Sequence, residues 1–189
     1  MTKRIFLAGV AGGIAMFLWS SVAHMALPLG RAGIREIPSE ARLLGAMHST
    51  LGESPGLYSF PGLGASTDMQ LYAQKLAANP SGLLIYHPPG ARAITAPQLV
   101  TEFLTELLEA LLLTWLMAQT RFESRISRIG FAAVVGLVAA MATNLPYWNW
   151  YGFPASYTSA YMTTEFVGFL VAGLAAARML PHSPAGSAG

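Results

Sequence analysis

Glu102, Glu106 and Glu109 head a stretch otherwise written for lipid, LVTEFLTELLEALLLTWLMA. Offsets of four and seven residues place all three on one face of a helix. A carboxylate in hydrocarbon costs several kcal/mol, so such residues face a bundle interior and mark a functional site by default. Glu165 lies in a second apolar stretch, so four of the nine acids in the chain fall inside lipid-type segments. Left unpaired there, a carboxylate takes up a proton rather than stay charged.

Three chemistries suit these residue types. A metal centre would take Glu106, Glu109 and Glu165 as oxygen ligands and His24 as the nitrogen ligand, a set suited to Zn²⁺, Mn²⁺ or Fe²⁺. The Glu-x-x-His pairing of di-iron helix bundles is missing. A proton or cation path would use the same carboxylates in sequence. An outward-opening pocket would set them against the polar head of a ligand, quinone-like, with apolar helix faces around its tail. The plain structural alternative is a helix-locking network, in which the glutamates bond Ser20, Asn144, Tyr161 or backbone groups. Ser20 shares a face with His24, and Tyr161 with Glu165, each at a spacing of four. The candidate cluster is therefore His24, Glu102, Glu106, Glu109, Asn144, Tyr161 and Glu165.

A second distinctive segment is NLPYWNWYGFPASY, from Asn144 to Tyr157. Pro146, Gly152 and Pro154 predict a connection rather than a helix. Its Trp and Tyr rings suit the membrane–water interface, either as an anchoring belt or as a lid over the cluster. Trp148, Asn149 and Trp150 are the lid or belt residues. His48 and His87 read as ordinary surface histidines.

Other chemistries lack their residues. Without any Cys there are no disulfides, thiolate metal sites, covalent haem attachment or iron–sulfur clusters. Only His24 among the histidines lies in an apolar span, so no bis-His haem is expected. There is no GxSxG, and the glycines of GVAGG lie inside a helix rather than after a strand, so no nucleotide motif is present. A net charge of +2 from scattered basic residues offers no track for nucleic acid.

The elements that must position the cluster are membrane helices. Of the 189 residues, 53% are hydrophobic and 11% charged, against about 25% charged in soluble domains. Apolar runs near Ile5–Ala26, Leu99–Ala118, Ile129–Leu145 and Tyr157–Leu180 are each long enough to cross about 30 Å of hydrocarbon. The first outlasts a signal-peptide h-region and ends in VAHMA, a poor cleavage site, so it is expected to be retained. Lys3, Arg4, Arg121, Arg125, Arg128 and Arg178 flank one side, and the connection Pro146–Ser156 has no Lys or Arg. The positive-inside rule then places both termini in the cytoplasm. His24, Asn144, Glu165, Glu106 and Glu109 all fall in the outer half, within roughly 15 Å of the outer ends of their spans. Small residues at packing spacing, Gly9 and Gly13, then Gly168, Ala172 and Ala176, would let helix backbones approach closely.

The fold class expected is an all-α membrane protein, a four-transmembrane-helix bundle with a small extracytoplasmic α/β insertion between helices 1 and 2. Its parts are a first helix over 1–27, a cap over 28–97, helices 2–4 over 98–180 and a flexible cytoplasmic tail over 181–189. Within the cap, PSEARLLGAMHST reads as one short helix. TDMQLYAQKLAAN reads as a second, with Thr67 or Asp68 as N-cap. GLYSF and GLLIYH are strand-type runs able to pair. A unit this small buries little core by itself and is expected to rest on another surface.

HMALPLGRAGI (His24–Ile34), GLYSFPG (Gly56–Gly62) and PYWNWYGFP (Pro146–Pro154) resemble segments of an uncharacterised family of small four-span bacterial inner-membrane proteins. The resemblance implies a bacterial inner-membrane location and four spans, and it carries over no activity, cofactor or catalytic residue. The role expected is a non-catalytic accessory or assembly subunit of a larger membrane complex, one in electron transfer being a candidate. Its partners would be the lipid bilayer and other membrane subunits or a second copy. The alternatives are a stand-alone binding or transport protein with an outward carboxylate pocket, and a metal-dependent membrane enzyme.

Overall fold

The structure, a computed structural model, describes residues 2–65, 68–90 and 94–180. Four long helices come from the apolar runs: α1 (Lys3–Met25), α4 (Ala96–Gln119), α5 (Arg125–Tyr151) and α6 (Ala155–Met179). Between α1 and α4 lie α2 (Glu40–Leu51), β1 (Gly56–Phe60), α3 (Met69–Ala78) and β2 (Gly82–Tyr86). The helix starts have local causes. Thr2 Oγ1 accepts from the Ile5 N–H, Gln98 Oε1 reaches back to the Thr95 N–H, and Ser124 Oγ accepts from the Ser127 N–H. Each supplies a partner to a backbone donor that the first turn leaves open.

Three of these helices, α1, α5 and α6, are long and apolar enough to cross a membrane. Helix α4 has comparable length, 24 residues, but carries Glu102, Glu106 and Glu109. The expected break at Pro146 does not occur, because α5 runs through it to Tyr151. A proline costs the helix one N–H bond and crowds the carbonyl four residues back, and the last turns of α5 tolerate both. The chain turns only at Gly152, in the left-handed region at φ 69°, where its N–H donates to the Tyr147 carbonyl.

Helix α1 packs along both α4 and α6, and α6 packs along α5, whereas α4 touches α5 and α6 only sparsely. The long helices thus form a row, α4–α1–α6–α5, without the fourth long interface that would close a ring. Glycine makes the three tight interfaces. Gly9 and Gly13 lie against Leu111 and Leu107 of α4, Gly12 and Gly168 bring α1 and α6 together, and Gly136 receives Phe169. Lipid tails are as apolar as leucine, so close backbone approach rather than apolar burial holds membrane helices together. The other faces of α4 and α5 are bulky and exposed, with Leu104, Leu108 and Leu112 on one and Val134, Val138 and Met141 on the other.

Residues 28–34, expected in the cap, belong instead to the compact unit of the long helices. They form a 3₁₀ turn, Pro28–Arg31, that packs on α1 and α6. Gly33, at φ 76°, lies against the Tyr157 backbone, where a Cβ would sit 2.7 Å from its nitrogen.

The second unit, Arg35–Ala93, has the two short helices and two strands expected. β1 and β2 form an antiparallel pair with Tyr58 opposite Leu84. Asp68 caps α3 by accepting from the Gln70 and Leu71 N–H groups; Thr67, the other candidate cap, lies outside the described residues, as does the 181–189 tail. Among the described residues of this unit only Tyr86 is buried. Its hydroxyl donates to the Gly52 carbonyl at 2.8 Å. Helices α2 and α3 share no extended interface with the hairpin or with each other.

Candidate functional site

The expected cluster divides into two neighbouring groups. The first lies between α1 and α4. Glu106 sits on the stripe Glu106, Ala110, Leu113 and Met117 that α4 buries, and only 6% of it is exposed. Its carboxyl meets the Ser20 hydroxyl and is in electrostatic reach of Glu102 and His24, while Oε2 has no hydrogen-bond partner. His24, on the last turn of α1, is exposed and places Nδ1 2.9 Å from the Ser20 carbonyl. Its ring meets Tyr161 edge-on at 5.7 Å between centroids. Gly30 fits against the same His24, where a Cβ would come within 3.0 Å of its ring, so the 3₁₀ turn fixes the histidine on one side and Tyr161 on the other.

The second group joins Glu165 of α6 to Thr143 and Asn144 of α5, with Glu109 of α4 in electrostatic reach. Glu165 accepts from Asn144 Nδ2 at 2.9 Å through Oε2 and from Thr143 Oγ1 at 3.3 Å through Oε1. The orientation of the Asn144 amide is set by its surroundings. The same Nδ2 donates to the Ala140 carbonyl at 3.0 Å, an atom that can only accept. Glu109 of α4 is half-buried and in electrostatic reach of Glu165, Glu106 and Glu102. No Lys or Arg among the described residues lies within ion-pair distance of these four glutamates. Glu102, one turn earlier on α4, is exposed.

Tyr161 makes no hydrogen bond to Glu165 despite the shared face. It stacks instead on Tyr157 at 4.3 Å, and Tyr157 meets Phe153 at 5.2 Å. These rings, rather than the tryptophans, flank the cluster. Trp148, Asn149 and Trp150 stand on the last helical turns of α5, exposed, and no hydrogen bond or ring contact joins them to Glu109 or Glu165. They line a surface groove with Met141 and Leu145. Because α5 continues past Pro146, they project from a helix and not from a connecting loop. His48 and His87 are exposed in the second unit. Among the described residues no three His, Asp or Glu side chains converge closely enough to hold a metal ion. The metal candidates His24, Glu106, Glu109 and Glu165 are split between the two groups.

Three residues matter that the sequence reading used otherwise or missed. Arg128, read as part of a basic loop, is buried in α5, where Nη1 donates to the Leu180 carbonyl at 2.9 Å. Trp19 Nε1 donates to the Thr164 carbonyl at 2.8 Å, and Gly168 one turn on admits Met16 of α1. A lone basic residue after a loop carries no signal for burial, but a tryptophan opposite a small-residue stripe does mark a helix contact. Thr143 adjoins Asn144 and had no separate signal.

Fold and site together define a helical chain with three membrane-length helices and a group of carboxylates set among them. Comparison with known protein families, curated proteins and solved structures finds no match.

Proposed function

We propose that this chain is a bacterial inner-membrane protein in which α4 makes a fourth crossing. Both termini are cytoplasmic and the unit Arg35–Ala93 is on the outer side. It serves as a non-catalytic accessory or assembly subunit of a larger membrane complex. The observation that supports this reading is the state of that unit. Leu44 is 54% exposed, Leu57 67%, Met69 64% and Ile85 70%, while Tyr86 alone is buried among the described residues of the unit. Apolar residues on every element of one unit face no core of their own, and exposed apolar surface on that scale marks an interaction site. Helix α4 adds to the membrane reading. A helix with three acids is costly in lipid only where those acids lack protein around them, and Glu106 is buried against α1.

The chain contains no Cys, so single-cysteine variants test both topology and partner. Ser49→Cys should react with a membrane-impermeant maleimide from outside intact cells, and Glu123→Cys only after lysis. Leu44→Cys and Ile85→Cys should be shielded in native membranes and become reactive in the purified monomer. Equal reactivity in both settings would remove the subunit reading, and labelling of Glu123→Cys from outside would reverse the topology.

A further inference from the structure

Helix α2 has nothing of its own to hold it. It is 12 residues long with no buried residue, and among the described residues it shares no extended interface with any other element. Its start is weak, since Ser39 sits in the left-handed region and its side chain caps no N–H. Gly45 in the interior costs a further 0.8–1 kcal/mol, approximately, against alanine. Isolated helices shorter than about 12–15 residues are marginal in water even for better sequences. A surface outside the protein must therefore support this one.

The helix has one apolar face. At 3.6 residues per turn Leu43, Leu44, Met47 and Leu51 fall within about 100° of arc, while Arg42, Gly45 and Ser49 lie on the opposite side. Glu40 shares the heading of the stripe but stands on the first turn, where a carboxylate suits the helix N-terminus.

The chain itself indicates what the face meets. Glu40 follows Ile34 by six residues, a reach of at most about 20 Å. Ile34 closes the segment whose 3₁₀ turn packs on α1 and α6, and both of those helices are of membrane length. Exposed apolar residues run without a long break from the end of α1 into α2: Met25, Leu27, Ile34, Ile37, Leu43 and Leu44. A surface that is lipid-facing at α1 thus continues onto the stripe of α2. Charge adds no preference, because Arg35 and Arg42 balance Glu36 and Glu40 across residues 35–51.

We propose that α2 lies in the plane of the membrane interface, with Leu43, Leu44, Met47 and Leu51 among the acyl chains of the adjacent leaflet and Arg42 and Ser49 toward water. Such a helix sinks its apolar face about 5–10 Å into the boundary of headgroups and chains. The inference rests on the membrane reading of the long helices and not on the subunit reading. It assigns the α2 part of the exposed apolar surface to lipid and leaves the hairpin and α3 to a partner.

The test uses the purified full-length chain in nanodiscs of phosphatidylcholine, which restore lipid without any partner. With no native Cys, a nitroxide is placed in turn at Leu43→Cys, Leu44→Cys, Met47→Cys, Arg42→Cys and Ser49→Cys, with Ile85→Cys as a reference outside α2. Collision with oxygen, which concentrates in lipid, is compared with collision with a water-soluble nickel chelate. The oxygen-to-nickel ratio should be severalfold higher at positions 43, 44 and 47 than at 42, 49 and 85. Adding an anionic phosphatidylglycerol fraction should leave that pattern unchanged. The pair Leu43→Asp and Leu44→Asp, whose side chains touch no core, should bring the ratio at Met47→Cys down to that at Ser49→Cys. Equal nickel access on both faces of α2 overturns the proposal, as does lipid contact that appears only with the anionic lipid. Shielding of Leu44→Cys in native membranes but not in nanodiscs also overturns it, and assigns the face to a partner subunit instead. Lipid contact in nanodiscs together with an Ile85→Cys that is equally reactive in native membranes and after purification supports the proposal while removing the subunit reading.

Discussion

Gly13→Ala should loosen α1 from α4 even though alanine is the better helix former. A Cβ at Gly13 would lie 2.7 Å from Leu107 Cα, 3.0 Å from Leu107 Cδ1 and 3.4 Å from Leu107 Cβ. Carbon atoms pack best at about 3.5–4.0 Å, so the nearest pair must separate by about 1 Å. Rotating Leu107 moves Cδ1 away but leaves Cα where it is, so the backbones themselves must part. A radial gap of about 0.5–1 Å forfeits a quarter to a half of each dispersion contact along the interface, and overpacking of this kind costs about 1–3 kcal/mol. Against it stands the helix gain of alanine over glycine, about 0.8–1 kcal/mol. The net expectation is a destabilisation of up to about 2 kcal/mol. Gly130→Ala is the control, since nothing lies within 4 Å of its Cβ position, and it should be neutral or slightly stabilising. Reversible unfolding in mixed sodium dodecyl sulfate and dodecylmaltoside micelles, followed by tryptophan fluorescence, compares the two. If Gly13→Ala proves as stable as Gly130→Ala, glycine-mediated approach does not hold α1 on α4.

Other expected outcomes rest on single hydrogen bonds. Trp19→Phe keeps the ring but removes the bond to the Thr164 carbonyl, and should cost about 1 kcal/mol in the same unfolding assay. It would do so without altering the Gly13 result, because the two sites lie on different interfaces of α1. Asn144→Leu takes away the amide that bonds Glu165, and should cost about 1 kcal/mol, the usual net value of such a bond. If the variant is as stable as the parent, the bond from Asn144 to Glu165 does not hold α5 on α6. Tyr86→Phe deletes the hydroxyl that reaches the Gly52 carbonyl. Hydrogen exchange should then speed up in β1, β2 and the end of α2 while α1 and α4–α6 keep their protection, since the two units are built on separate contacts.

Much of this architecture is legible in the linear chain because its signals are local. Runs such as IFLAGVAGGIAMFLWSSVAHM must be helical to satisfy their backbone groups in hydrocarbon. GLYSF and GLLIY are short β-type runs between turn residues, and they pair. The cap of α3 follows from Asp68 alone. The failures are equally physical. Pro146 and the dense aromatic segment after it look like a loop, yet one lost N–H bond near a helix end does not stop twenty-seven helical residues. Arg128 has the sequence character of a loop cation, and its burial is tolerable because the end of α6 brings the Leu180 carbonyl to it.

The glutamate stripe shows where the division falls. Spacing alone puts Glu102, Glu106 and Glu109 on one face, but at 3.6 residues per turn Glu106 and Glu109 still differ by about 60° around the axis. Which is buried and which stays reachable depends on where α1 lies against α4, and Gly9 and Gly13 set that. The sequence by itself determined that these acids sit among apolar helices, since composition and period are properties of each segment. Only the tertiary structure decided that Glu106 is buried beside Ser20 while Glu109 is half-buried in electrostatic reach of Glu165. Those partners come from helices distant in the chain, and their distances arise from packing that no single segment encodes.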